Sequence, residues 1–439
     1  MKKVVKFGGS SLASAEQFQK VADIIHSDKE RRYVVPSAPG KRFDGDNKVT
    51  DMLYACYHLA ETGKDFRKEL SEIEERYQEI VDGLGLSVSL REEFETIERN
   101  FNEKIGENYA ASRGEYLNSI LMAAYLGFPF VDAAEVIRFT EKGEFDSELT
   151  NQILGERLAG MENAVIPGFY GAYEDGRIKT FSRGGSDITG SIVARAVKAE
   201  VYENWTDVSG FLIADPRIIE DPEGIDTITY RELRELSYMG AGVFHEEAIF
   251  PVRREGIPIN IRNTNAPADP GTMILSRTDR MPMDTIITGV AGRKGFSSIT
   301  IEKDRMNTEV GFGRKVLGVL EDFHISFEHA PTGIDTMSVV VHTEALRDCK
   351  EALIGRIFHD ANADSVTIDD NIALIAIVGR GMVRAKGTAG RVLTAIAEQD
   401  VNIRMIDQGS GENNIIVGVS EDDYDTALRA IYHAFVREA

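Results

Sequence analysis

The sequence predicts an α/β domain followed by two smaller α+β repeats, and three observations carry this prediction. Over roughly the first 280 residues, short apolar runs alternate with segments whose apolar residues recur at helical spacing. Two glycine-serine turns, Gly8-Gly9-Ser10 and Gly184-Gly185-Ser186, each lie between a predicted strand and a predicted helix. Near its end the chain matches itself at an offset of 76 residues, which aligns Met306 with Met382.

Composition limits the classes of function. The chain has 439 residues, enough for more than one domain with a sizeable core. Its 50 basic and 72 acidic residues give a formal net charge of -22, which argues against a nucleic-acid partner because phosphate binding needs clustered Lys and Arg. Cys56 and Cys349 suggest neither a disulfide framework nor a zinc site. Because no run of about 18 apolar residues occurs, we expect a cytoplasmic protein without a membrane partner.

The first glycine turn follows a strand that carries a lysine. Residues 4–7 are mainly strand formers, and residues 18–25 have apolar side chains at helical spacing. At such a junction a helix N-terminus and a glycine backbone attract an anion, and Lys6 would add a positive charge. On this stretch alone, a plain strand-turn-helix with a solvated lysine accounts for the residues equally well.

Strand and helix continue to alternate after this turn, with one interruption. The predicted strands lie at residues 33–35, 130–131, 164–166, 201–202 and 257–261, and the predicted helices at 117–126 and from Ile188 onward. Residues 64–110 predict a charged helical hairpin inserted into this pattern. We expect the hairpin to be structural, because alternating acidic and basic residues commonly form a solvated face. The Pro- and Gly-containing run 265–272 predicts the end of the first domain.

The C-terminal repeat predicts two units of about 75 residues each. The offset also aligns Gly311 with Gly387 and residues 339–341 with residues 415–417. Each unit has the order strand, loop, helix, strand, strand, helix, with more strand than it can cover alone. We therefore expect the two units to pack sheet to sheet or edge to edge. Two ordinary structural modules remain an alternative on this pattern.

The motifs favour phosphoryl transfer without a P-loop. The chain has no G-x-x-x-x-G-K-[ST] run and no H-R-D element, so neither a P-loop enzyme nor a protein kinase is supported. Lys6 adjoins the first glycine turn, and Arg183 and Asp187 flank the second. Phosphoryl transfer needs positioning and charge neutralisation between donor and acceptor. These residues would supply both if the fold brings the two turns together.

Four motifs together resemble those of the aspartokinase family. In chain order they are Lys6-Phe7-Gly8-Gly9-Ser10-Ser11, Arg183-Gly184-Gly185-Ser186-Asp187, Trp205-Thr206-Asp207-Val208 and Asp215-Pro216-Arg217. The resemblance covers nearly the whole chain. It implies an amino-acid-kinase three-layer α/β/α sandwich followed by two α+β ferredoxin-like ACT domains. It also implies that 4-phospho-L-aspartate is made from L-aspartate and MgATP, the first step towards lysine, threonine and methionine.

The resemblance also implies the domain organisation. The catalytic domain would occupy residues 1–280, with the helical insertion at 64–110. The first ACT domain would occupy 298–369. The second would combine 281–297 with 370–439, because residues 286–291 resemble a strand that family members donate to the second ACT unit. Such ACT units bind an amino-acid effector, and they imply a homodimer or tetramer.

The resemblance gives roles to residues of the catalytic domain. Lys6 would neutralise the transferring phosphoryl group, and Asp187 would orient Lys6 or the substrate ammonium, since the ionised β-carboxylate of aspartate needs no general base. The implied substrate-binding residues are Thr50, Glu115, Phe169, Arg183 and Ser186, with Glu115 on the ammonium and Arg183 on the α-carboxylate. The implied nucleotide-binding residues are Gly8, Gly9, Ser10, Thr206, Asp207, Asp215 and Arg217. We expect ATP with Mg²⁺ held mainly by phosphates and water, and no metal site built from side chains.

The implied effector site lies in the first ACT unit. Its residues are Met306, Phe312, Ser326, Phe327 and Glu328. Glu328 stands where an aspartate is frequent in the family, and a carboxylate there suits a cationic ammonium group. This favours lysine as the feedback inhibitor, with threonine as the alternative.

Three features depart from the family pattern and keep two other functions open. Prolines at 36 and 39 flank Ser37 in the second phosphate loop, Gly242 stands where many members have a nucleotide-contacting lysine, and Leu212 stands where some have a tyrosine. A catalytically silent amino-acid sensor is one alternative, which Gly242 favours and the retention of Lys6 opposes. An amino-acid kinase with a different acceptor is the other, and the ACT repeat opposes it.

Overall fold

The computed structural model describes residues 2–182, 184–240, 250–276, 285–409, 411 and 413–436. The chain forms two compact units. Unit 1 comprises Met1–Phe211, Gly224–Tyr230 and Val243–Met281, and unit 2 comprises Leu212–Glu223, Arg231–Gly242 and Pro282–Ala439. Two segments from within the predicted catalytic range therefore belong to unit 2.

The strands of the described residues are β1 (Lys3–Phe7), β2 (Arg31–Pro36), β3 (Ala164–Val165), β4 (Tyr170–Ala172), β5 (Ile178–Thr180), β6 (Val201–Thr206), β7 (Thr227–Thr229), β8 (Ile259–Asn263), β9 (Thr272–Leu275), β10 (Gly289–Glu302), β11 (Thr336–His342), β12 (Ser365–Val378), β13 (Met405–Asp407) and β14 (Asn414–Ser420). The α-helices are α1 (Ala15–His26), α2 (Val49–Glu61), α3 (Arg67–Leu84), α4 (Arg91–Asn102), α5 (Glu107–Leu126), α6 (Ala133–Val136), α7 (Ser147–Leu158), α8 (Gly185–Ala196), α9 (Tyr230–Tyr238), α10 (Phe250–Arg253), α11 (Phe312–Asp322), α12 (Lys350–Asp360), α13 (Thr388–Ala397) and α14 (Tyr424–Val436).

Unit 1 is organised around a seven-stranded sheet with the order β3-β2-β1-β6-β8-β9-β7. The central strand β1 runs parallel to β2 on one side and to β6 on the other. Its residues Val4, Val5 and Phe7 are fully buried, as expected for a strand covered on both faces. Because β2 lies on one side of β1 and β6 on the other, the strand order reverses here, where α/β sheets commonly bind ligands.

The helical insertion is present as α3 and α4, and the helix after it begins earlier than predicted. Residues of α3 at the predicted 4-3 spacing, such as Ile73 and Tyr77, are buried. The following helix α5 starts at Glu107 rather than near Leu117. Its first half lacks the apolar period of a helix because it buries polar and small residues, including Arg113 and Glu115.

The first glycine turn does not lead directly into a helix as predicted. Gly9–Leu12 form a short 3-10 turn, and α1 begins only at Ala15. The hydroxyl of Ser14 accepts a hydrogen bond of 3.4 Å from the Gln17 amide, so α1 has its own N-cap away from the glycine pair. The positive end of the α1 dipole therefore does not lie at Gly8 and Gly9.

Unit 2 contains a five-stranded sheet with the order β11-β10-β12-β14-β13. Strand β10 serves both repeats: its residues 289–293 pair with 374–378 of β12, and its residues 296–302 pair with both β11 and residues 365–372 of β12. Two hydrophobic cores lie in this unit. One is built around Ile299 and Val316, and the other around Ile375 and Val392.

Within the described residues, no helix combines the length and the apolar character needed to cross a membrane.

Candidate active site

A buried lysine-aspartate pair lies at the switch point of the unit 1 sheet. Lys6 on β1 is opposite Asn204 on β6 in the strand register. The Lys6 ammonium is 2.5 Å from a carboxylate oxygen of Asp187, in the first turn of α8. The Asn204 side chain completes a triangle, because its amide donates to Asp187 at 2.8 Å while its oxygen lies 3.5 Å from Lys6 Nζ. The ammonium group is thus held in a fixed position.

The second glycine turn leads directly into α8, as predicted. Gly184 is the N-cap of α8 and has left-handed backbone angles, φ 75° and ψ 19°. A side chain at this position would carry the strain of that conformation, which glycine avoids. The positive end of the α8 dipole therefore lies at this glycine turn, next to Ser186 and Asp187 in the first turn of the helix.

Glu115 is a buried carboxyl close to both Lys6 and Ser186. Its side chain lies 3.5 Å from the Ser186 hydroxyl, and its Oε2 atom is buried without a hydrogen-bond partner. Burial raises the pKa of Glu115 to about 8, against smaller opposing effects from the Ala38 backbone, Ser186 and Lys6. A carboxylate oxygen with no partner in a closed site is suited to receive a cationic group.

Two further predicted substrate residues, Phe169 and Thr50, lie against α8 and α5. The amide of Phe169 donates to the Thr189 hydroxyl at 3.1 Å, and Phe169 has φ 79°, an uncommon value for a residue with a side chain. Its ring packs so closely on Gly185 that a Cβ there would lie 2.5 Å from it. Thr50, at the start of α2, is near Gly114 of α5. Phe169 therefore adjoins Ser186, and Thr50 adjoins the helix that carries Glu115.

The first glycine turn packs against the loop that follows β2. Gly8 donates its amide to the Trp205 carbonyl at 2.9 Å, and the Gly9 carbonyl accepts from the Gly40 amide at 2.8 Å. A Cβ on Gly9 would lie 2.9 Å from the Ala38 carbonyl oxygen, so this close approach requires glycine. Ser10 lies in the 3-10 turn that follows.

The other predicted nucleotide residues fall in two places. Thr206 ends β6, beside β1, and its hydroxyl donates to the exposed Asp207 at 3.2 Å. Asp215 and Arg217 belong to unit 2, where they form an ion pair of 2.6 Å with each other. Arg183 and Gly242 lie outside the described residues.

The predicted effector residues divide between the interior and the surface of unit 2. Met306 and Phe312 are buried in the first core of that unit. Ser326 is exposed, and Phe327 is 45% exposed. Glu328 accepts a hydrogen bond of 2.5 Å from the Tyr238 hydroxyl, and its other oxygen lies 3.4 Å from His342 Nε2.

Sequence reasoning missed two residues that shape the lysine-aspartate pair. Asn204 is a buried polar residue inside a strand, and a polar residue in a buried strand is a signal that the sequence does contain. Tyr202 donates its hydroxyl to the Asp187 carbonyl at 3.1 Å and thereby fixes the first turn of α8. No pattern in the sequence pairs Tyr202 with a helix that ends before it.

The described part of the chain has no group of three or more His, Cys, Asp or Glu residues that could hold a metal ion.

The fold and the site together define an amino-acid kinase with a C-terminal regulatory region. The model of the amino acid kinase family matches residues 1–263, and a model of the ACT domain matches residues 375–435. Aspartokinase 3 of Bacillus subtilis is 42% identical to this chain, over 99% of this chain and 98% of its own length. The chain belongs to the aspartokinases, the ATP-dependent kinases of aspartate.

Solved structures agree with this assignment. The crystal structure of Clostridium acetobutylicum aspartate kinase is 51% identical, with a TM-score of 0.92 over 99% of this chain and 100% of that chain. Escherichia coli aspartokinase III in complex with aspartate and ADP is 26% identical, with a TM-score of 0.73 and full coverage of both chains. The same enzyme in complex with lysine and aspartate is 25% identical, with a TM-score of 0.73 over 99% of both chains. The predicted family, fold class and activity are confirmed.

Proposed function

We propose that the Lys6 site of unit 1 transfers the γ-phosphoryl group of ATP to the β-carboxylate of L-aspartate. A new bond forms between a carboxylate oxygen and the γ-phosphorus, the bond to the ADP oxygen breaks, and 4-phospho-L-aspartate and ADP are the products. No proton has to move, because a side-chain carboxyl is ionised near pH 7. The observation that carries this proposal is the Lys6–Asp187 pair at the switch point of the sheet.

Lys6 supplies the positive charge that the transferring group needs. Its ammonium is held by Asp187 and Asn204, so little reorganisation is needed as charge develops on the phosphoryl oxygens. Gly8 lies next to the Lys6 ammonium and carries no side chain there, so the nucleotide phosphates can approach the backbone of this turn. Thr206 and Asp207, at the end of the neighbouring parallel strand β6, would also contact the nucleotide.

Glu115 would hold the substrate ammonium. The unpaired Oε2 atom and the adjacent Ser186 hydroxyl support this role. Phe169 and Thr50 would pack beside the bound aspartate. Arg183, Asp215 and Arg217 keep the roles implied by the family resemblance. Mg²⁺ would be held by ATP phosphates and water rather than by a cluster of side chains, and it would neutralise phosphate charge.

The same proposal assigns regulation to unit 2. The ACT domains would occupy 298–369 and 281–297 plus 370–439, a division supported by the pairing of β10 with strands of both repeats. Glu328 would bind the ammonium group of lysine, with threonine as the alternative effector. The lysine complex of E. coli aspartokinase III supports lysine. Assembly as a homodimer or tetramer through the ACT domains, and a cytoplasmic location, stay predictions of the sequence.

An ADP-release assay tests these assignments together. It compares aspartate, glutamate and no acceptor, each with and without lysine or threonine. We expect release that depends on aspartate and is inhibited by lysine. Equal rates with glutamate would point to another acceptor, and an absence of aspartate-dependent release would support a silent sensor. The variant Glu328→Ala should lose lysine inhibition and keep its uninhibited rate, whereas unchanged inhibition would reject Glu328 as the effector ligand.

A further inference from the structure

The helical insertion contributes a buried arginine to the loop that follows β2. Arg76 lies in the middle of α3 and is only 4% exposed. Its guanidinium donates to the carbonyl of Gly40 and, at 2.5 Å, to the carbonyl of Asn47. The carboxylate of Asp46 lies 3.3 Å away. We call residues 37–48 the β2-α2 loop. One arginine side chain therefore binds the carbonyls at both ends of the stretch 40–47 within this loop.

The β2-α2 loop contacts the first glycine turn and helix α5. The Gly40 amide donates to the Gly9 carbonyl at 2.8 Å, so the residue gripped by Arg76 also holds the first glycine turn. The Ser37 carbonyl accepts from the Asn118 amide of α5 at 2.6 Å. A shift of the loop at Gly40 would therefore move the first glycine turn directly.

The chemistry of the contact requires arginine. Burial lowers the pKa of Arg76, with the charge of Asp46 acting in the opposite direction, so the side chain sits in a site that disfavours its charge. Two carbonyls that face one planar group are matched by the rigid donor fork of a guanidinium. A lysine has a single ammonium on a flexible stem and cannot hold both carbonyls in the same geometry. The buried guanidinium is therefore explained by the hydrogen bonds that it donates to the two carbonyls.

We propose that Arg76 is a positioning residue for phosphoryl transfer. It fixes the Gly40 and Asn47 carbonyls, and this keeps the Gly40 amide on the Gly9 carbonyl and the glycine turn in the shape that receives the nucleotide phosphates. The proposal rests on the nucleotide role of Gly8 and Gly9 stated above. The insertion, which the sequence assigns to a purely structural role, then belongs to the machinery that binds ATP.

The test compares Arg76→Lys with the matched control Arg67→Lys. Arg67 lies on the same helix, is 69% exposed and pairs with Glu98 at 2.8 Å. For Arg76→Lys we expect kcat/KM for ATP to fall by about tenfold and ADP binding, measured by titration calorimetry without aspartate, to weaken by a similar factor. The KM for aspartate should change by less than about twofold. Arg67→Lys should leave all three constants at wild-type values.

A second variant separates positioning from folding. Arg76→Ala should recover part of its lost kcat/KM for ATP when guanidinium ions are added at low concentration, with potassium ions as the control. Equal weakening of ATP and aspartate constants with a lower melting temperature and no rescue would overturn the proposal in favour of a structural role. Unchanged ADP binding in Arg76→Lys would also overturn it. A wild-type chain that binds ADP but gives no aspartate-dependent release would instead reject the proposed function and leave the binding comparison valid.

Discussion

The two glycine turns have nearly the same residues but are built differently. The turn at Gly8-Gly9 enters a 3-10 turn and is packed against the β2-α2 loop, whereas the turn at Gly184-Gly185 directly caps α8. The first turn needs glycine for space, because a Cβ on Gly9 would strike backbone atoms. In the second turn Gly184 needs glycine for backbone conformation, because its φ is left-handed, and Gly185 needs it for space beside Phe169. A shared motif can thus satisfy two different physical demands.

Among the substitutions at the two turns, Lys6→Ala should have the largest effect on catalysis. Lys6→Ala removes the only predicted cation on the first turn, and we expect kcat to fall by about 10³-fold because the charge acts chiefly in the transition state. The KM for aspartate should change by no more than a few-fold. Steady-state kinetics test this, with the exposed Lys20→Ala as the control. A change confined to KM would move Lys6 to a binding role.

A methyl group on the first turn tests the demand for space. In Gly9→Ala the new Cβ would lie 2.9 Å from the Ala38 carbonyl oxygen and 3.1 Å from the Gly40 amide, so the loop must move. We expect kcat/KM for ATP to fall by roughly 10²-fold, since displacement of a positioned group by about 1 Å has that cost. Wild-type kinetics in this variant would show that the loop can retreat without consequence and would remove the distinction between the turns.

Glu115 allows a pH test of the residue that faces the second turn. With its pKa raised to about 8, the carboxyl is protonated in the free enzyme at lower pH and cannot pair with an ammonium group. We expect kcat/KM for aspartate to rise by about tenfold per pH unit up to about pH 8 and then level off. Glu115→Gln should lower kcat/KM and flatten this profile. An unchanged profile in the variant would assign the pH dependence to another group.

The same carboxyl links folding stability to pH. Its pKa is higher in the folded state than the ordinary value near 4.3, so the folded state favours the protonated form. Its contribution to the free energy of unfolding is therefore fully present below about pH 4 and is lost as the pH rises towards 8. Urea unfolding at pH 6 and pH 8.5 should show a smaller loss of stability in Glu115→Gln than in the wild-type chain.

The smallest effect is expected at Gly184. Gly184→Ala places a side chain at φ 75°, which costs about 1–2 kcal/mol of folding free energy. Because the cost is conformational, we expect a lower melting temperature with kcat within a few-fold of wild type. Thermal unfolding and steady-state kinetics on the same sample measure both. A loss of activity comparable to that of Gly9→Ala would break the comparison between the two turns.

Repeating features of the sequence predicted the fold. They did not predict contacts between residues that are far apart in the sequence. Apolar period and glycine placement are local features, and they predicted the strands β1 and β2, the start of α8 and the C-terminal repeat. The start of α5 was not predicted, because its inward face carries Glu115 and other polar residues used by the site. Asn204 and Arg76 act on residues 17 or more positions away, and no periodicity records such pairs.

The division of the chain between the two units has a consequence for engineering. The polypeptide passes between unit 1 and unit 2 five times, at 211/212, 223/224, 230/231, 242/243 and 281/282. The core of unit 2 includes Ala214 and Ile219, and the buried Glu232 accepts from Thr288 at 2.7 Å and from Arg380 at 3.1 Å. A chimera that exchanges regulation between two enzymes by a single crossover after residue 281 would therefore join mismatched halves of one core. Transplanting the feedback response requires three segments to be exchanged as a set.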